Sequence, residues 1–127
     1  MENHAEVLEY YKLSKTYLKA ALELMKENLF EPALFNIIHS LELGVKSALI
    51  TRIDNTLILH QVGGLFGREF RDTVGNEICK EINNILSKYN LPRYPGEDNI
   101  TEDEVKTTIE FVQYFIEKVL PGIINSE

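Results

Sequence analysis

The sequence predicts an all-α protein, an up-and-down bundle of about five helices. Three observations carry this expectation. Apolar residues recur at spacings of three and four along most of the 127 residues, the signature of helices with one buried face. No run alternates apolar and polar residues with a period of two, so nothing reads as a half-buried strand. Seven glycines and four prolines are too few for a chain of this length built from many turns. Short connections make consecutive helices antiparallel neighbours. The length suits one domain over 1–127, able to bury about two thirds of the surface of the unfolded chain.

The first helix is expected from about Glu2 to Asn28, with Val7, Tyr11, Ser14, Leu18, Ala21 and Met25 on one face. Asn28 punctuates its end, and Glu31-Pro32 suits the first turn of the next helix. The second helix runs from about Pro32 to Ile53. Its stripe of Leu34, Ile38, Leu41, Val45 and Ala48 makes it the most apolar and the central one. Arg52 continues that stripe at the C-terminal end, where the helix dipole favours a cation by roughly 0.3–1 kcal/mol. A short third helix begins near His60, and Gly63, Gly64 and Gly67 within it weaken it by about 1 kcal/mol each. The same glycines permit close approach of a neighbouring helix. A fourth helix over about Gly75 to Tyr89 aligns Ile78, Ile82, Ile85, Leu86 and Tyr89. The prolines and glycine of Asn90–Asn99 exclude a helix there. Thr101-Glu-Asp-Glu104 is a capping box that starts the last helix, striped by Val105, Ile109, Val112, Ile116 and Val119 and ended by Pro121-Gly122.

Both terminal helices carry more apolar surface than one core face requires. Leu13, Tyr17 and Leu24 flank the stripe of the first, and Phe111 and Phe115 flank that of the last. Either the short third helix fills a wide groove there, or these residues form a two-fold dimer interface.

Charge bounds the partners. Twenty acidic against thirteen basic residues give a net charge of −7, which argues against bulk, sequence-blind nucleic-acid binding. One cysteine, Cys79, excludes an internal disulfide framework and a cysteine-based zinc site, and its place beside the Ile78–Ile82 face reads as a small buried hydrophobe. The acidic, amphipathic start is unlike a secretory signal, the apolar runs are too short and broken to span a membrane, and the C-terminus matches no lipidation signal. The expected location is the cytoplasm. His4, His39 and His60 share no metal-ligand spacing, and no phosphate loop or dinucleotide fingerprint is present, so no metal and no cofactor are expected.

All four arginines, Arg52, Arg68, Arg71 and Arg93, fall in the middle of the chain. Together they form one local cationic pocket, or Arg68 and Arg71 pair with nearby acids on a solvated face. Glu42 and Lys46 stand i, i+4 on the central helix, as a pair that sets packing or one that orients neighbouring groups. His60 stands at a helix start, as a cap, as a partner of Glu42, or as an acid–base group.

Four segments in order resemble the HEPN family, the "higher eukaryotes and prokaryotes nucleotide-binding" domain. They are Asn28-Leu-Phe-Glu-Pro-Ala33 between paired helices, Ser40-Leu-Glu-Leu-Gly-Val-Lys-Ser-Ala-Leu49, His60-Gln-Val-Gly-Gly-Leu-Phe66 and Leu91-Pro-Arg-Tyr-Pro-Gly96. Arg93-Tyr94-Pro95 is the most distinctive. The resemblance implies a helical bundle, often a homodimer, that commonly pairs with a minimal nucleotidyltransferase in a toxin–antitoxin or related two-component system. Some members bind nucleotides. Others are metal-independent ribonucleases with four to six residues between an arginine and a following histidine. Here seven residues separate Arg52 from His60, outside that pattern. The expectation is therefore a non-catalytic module that binds a nucleotide or a nucleotidyltransferase through Glu42, Lys46, Arg52, His60, Arg93 and Tyr94. Its rivals are a ribonuclease using Arg52 and His60, and a purely structural dimerisation module.

Overall fold

The computed structural model describes residues 4–58, 61–89 and 100–125. His60, Arg93 and Tyr94 lie outside the described residues. Helices α1 (His4–Lys26) and α2 (Phe30–Ile50) form an antiparallel hairpin. A 3-10 turn, Asn55–Leu57, leads to α3 (Val62–Val74) and α4 (Asn76–Tyr89). Helix α5 (Glu102–Tyr114) continues through a π-helical turn, Phe115–Val119, into α6 (Leu120–Ile124) as one rod. No strand occurs among the described residues, and the fold is an all-α helical bundle.

Local chemistry explains the boundaries. Asn28 adopts φ 59, a left-handed conformation that asparagine tolerates better than most side chains. With it, Asn28 N–H donates to Met25 O at 3.0 Å and Leu29 N–H to Leu24 O at 2.9 Å, the paired bonds of a Schellman stop. The Thr101 hydroxyl accepts from Glu104 N–H at 3.1 Å, as a cap does. Asp54 accepts from Thr56 N–H at 2.9 Å and opens the 3-10 turn; these bonds hold its carboxyl below the usual range.

Pro121-Gly122 does not end the last helix. In a regular α-ladder, Pro121 would owe a bond to the residue four positions back and its ring would strike that carbonyl. Leu120 N–H instead reaches Phe115 O, five positions back, and Pro121 falls in the first turn of α6, where no donor is needed. The wide turn also brings two successive residues, Phe115 and Ile116, to the buried side. Phe115, expected on a flank that meets either the third helix or a second copy, meets α3. It is fully buried, with its ring edge-on to Phe66 at 5.6 Å between centroids.

Helix α2 is the hub. Leu34, Ile37, Leu41, Val45 and Ala48 are sealed against the surrounding helices. Among the described residues it is the one helix long and apolar enough to cross a membrane, and its burial in the bundle accounts for that composition. Ser40 reaches across to α1, donating to Ser14 O at 2.6 Å. Gly44 lets the last rod close in, since a Cβ there would lie 2.5 Å from Ile116 Cδ1. Gly63 does the same for α3 on α4, its nearest backbone neighbour being Asn83 Cα at 3.3 Å from such a Cβ.

Candidate functional site

The described members of the expected site do not converge on one point. Lys46 lies on the α1 side of α2, its ammonium 5.1 Å from the centre of the Tyr10 ring. Glu42 approaches His39 Nδ1 at 3.6 Å rather than pairing with Lys46, and His39 in turn meets Tyr17 edge-on at 4.5 Å. These residues form one surface of the α1–α2 hairpin.

Arg52 belongs to a different place. Helix α2 ends at Ile50, so Arg52 stands in the following turn and serves the end of α3 rather than the end of its own helix. Its guanidinium donates to the Glu69 carbonyl and, at 3.3 Å, to the Thr73 hydroxyl. The guanidinium carbon stands 4.1 Å from the centre of the Phe70 ring, which is itself buried. A planar cation stacked on an aromatic face while bonding acceptors in the last turns of a helix is a staple between elements. Arg52→Ala is expected to lower stability by about 1 kcal/mol, read as a shift of the urea midpoint at unchanged slope.

The other two described arginines, Arg68 and Arg71, have partners of their own. Arg68 pairs with its neighbour Glu69 at 3.4 Å. Arg71 lies toward Cys79, where its charge opposes the upward push of burial on the thiol. Cys79 is buried, as its sequence position suggests. Among the described residues no three histidine, cysteine, aspartate or glutamate side chains gather as metal ligands.

A second cluster joins the end of α4 to the start of α5. Glu104 accepts from the Tyr89 hydroxyl and pairs with Lys88 at 3.3 Å. The three border a cleft of about 430 Å³ that also takes in Glu81, Asp103 and Thr107. Burial, then the bond to Glu104, pushes the Tyr89 phenol above its ordinary value. The neutral phenol is the form the fold favours, so its contribution is complete below the ordinary tyrosine pKa of about 10 and is lost as pH rises through the raised value. In an alkaline titration followed by phenolate absorbance, two tyrosines should ionise late, and Tyr89→Phe should leave one of them. The one that remains is Tyr11, also raised by burial and then by Glu117.

These placements leave a helical bundle whose central helix carries Glu42, Gly44 and Lys46 between α1 and the last rod. Comparison with protein-family models matches the HEPN domain over residues 7–122. The chain belongs to the HEPN family. No curated protein and no solved structure gives a significant match. The HEPN match spans all four segments that carry the sequence resemblance.

Of the residues expected at a dimer interface, Leu13 is exposed, while Tyr17, Leu24 and Phe111 are half-buried. Leu24 and Phe111 pack against the core. Sequence reading missed Phe35, exposed at 76% on α2. Its signal was its spacing, since Phe35, His39, Glu42 and Lys46 follow one another by four, three and four.

Proposed function

We propose that this HEPN protein is a non-catalytic partner module, working in the cytoplasm beside a nucleotidyltransferase in a two-component or toxin–antitoxin type system. The observation that carries the reading is the engagement of Arg52. A ribonuclease of this family needs an arginine and a histidine to meet at one phosphodiester. Arg52 is committed to Glu69, Thr73 and Phe70, and its spacing to His60 falls outside the ribonuclease pattern. The separation of Lys46 from Arg52, each held by a different neighbour, favours a protein partner over a nucleotide gripped by both.

Two measurements test this. Millimolar ATP or GTP should leave the melting temperature unchanged, whereas a nucleotide at 100 times its dissociation constant would add about 2.7 kcal/mol. Co-expression with a minimal nucleotidyltransferase encoded beside this protein should yield a co-purifying complex. A clear nucleotide shift without such a complex would replace the partner reading with the nucleotide-binding one.

A further inference from the structure

The exposed face of the α1–α2 hairpin has an apolar centre and an acidic margin. Phe35 is 76% exposed and Leu13 46% exposed, with the half-buried Tyr17 beside them. Leu13 stands one turn before Tyr17 and Phe35 one turn before His39, and the contacts Tyr17–His39 and Lys46–Tyr10 bring these two stripes together along the seam between the helices. A phenylalanine this open on a helix that is otherwise the core of the bundle is the largest apolar anomaly of the described surface, and aromatic side chains of this kind dominate protein interfaces.

The charges around this centre are sorted. Glu9 stands one turn before Leu13, and Glu31 one turn before Phe35, with Glu42 two turns after it. The four lysines of α1, Lys12, Lys15, Lys19 and Lys26, repeat at three, four and seven and so share the other flank of the helix. Lys15 confirms that phase by lying 4.4 Å from the centre of the Tyr11 ring, and Tyr11 is the residue that senses Glu117 of the last rod. Lys46 is the one lysine on the seam, and it is drawn over Tyr10. A second copy would bring the same acids face to face, against a net charge of −7 on each chain.

We propose that this face docks a different protein, one whose apolar ridge is flanked by lysine or arginine. The proposal rests on the partner-module reading and assigns it a surface and a partner chemistry.

The probe is a pair of synthetic amphipathic helical peptides with the same leucine and phenylalanine stripe, one flanked by lysines and one by glutamates. They are titrated into the isotope-labelled full chain. The lysine peptide should bind about tenfold or more tightly than the glutamate peptide, weaken with salt, and perturb the amides of Leu13, Tyr17 and Phe35. Phe35→Asp, an exposed site where the fold is not at stake, should abolish binding. Glu31→Lys with Glu42→Lys should erase the preference for the lysine peptide. Equal binding of the two peptides, or perturbations confined to another face, would overturn the proposal. So would light scattering showing a dimer that Phe35→Asp dissociates, because the face would then belong to a second copy. If co-purification with the nucleotidyltransferase survives Phe35→Asp, this surface fails while the partner reading stands.

Discussion

Phe115→Ala is expected to cost about 3–5 kcal/mol, enough to lower the melting temperature by roughly 10–20 °C. The ring is fully buried and meets Phe66 edge-on, and Phe66 stacks on Phe70 at 4.9 Å. Truncation removes a large apolar surface and opens a hole between the last rod, α2 and α3. The same variant separates two roles for this side chain. At a dimer interface, its loss would weaken association and spare the folded chain. In the core, its loss destabilises the chain at every concentration. A melting temperature that falls in Phe115→Ala by the same amount at low and high protein concentration is the expected signature.

Gly44→Val is expected to cost about 2 kcal/mol, although valine is the better helix former in isolation. The added Cβ would stand 2.5 Å from Ile116 Cδ1 and 3.3 Å from Leu120 Cδ2. Both neighbours are sealed in the core with no exposed surface, so neither can swing aside into solvent. Gly44→Ala is the informative comparison. It regains about 1 kcal/mol of helix propensity but asks for the same first carbon. If valine lowers the urea midpoint while alanine leaves it nearly unchanged, side chains of the last rod rest directly on the α2 backbone at Gly44. A stabilised Gly44→Val would mean the two helices stand further apart.

The helices themselves were legible because their periodicity is strong. Val7, Ser14, Leu18 and Ala21 of α1 are buried as their spacing requires, and so are Ile82 and Ile85 of α4. The stops were legible where a residue carries its own signal, as Asn28 does with its left-handed backbone and Thr101 with its hydroxyl. Pro121 misleads because a proline has two opposite meanings in a helix. It breaks an interior turn and suits a first turn, and only the π-helical turn before it decides between them. That same turn brings both Phe115 and Ile116 to the buried side.

The candidate site was less legible, for a different reason. Spacing along one helix groups residues, as it does for His39, Glu42 and Lys46. It says nothing about which neighbour each side chain will choose. Arg52 shared a stripe with the core of α2 and was expected to serve that helix, but the chain turns after Ile50 and delivers it to Phe70 and Thr73 of α3. Phe35 reads as more core in the sequence, because an apolar residue beside a broad apolar stripe is told from core only by the width of the covering helices.

The proposed function rests on Arg52 acting as a staple between the end of α2 and α3 rather than as half of a nuclease. The most direct test is prolonged incubation of wild type and Arg52→Ala with a single-stranded RNA. Full-length RNA should remain in both samples. RNA fragments produced by wild type and absent with a folded Arg52→Ala would contradict the account.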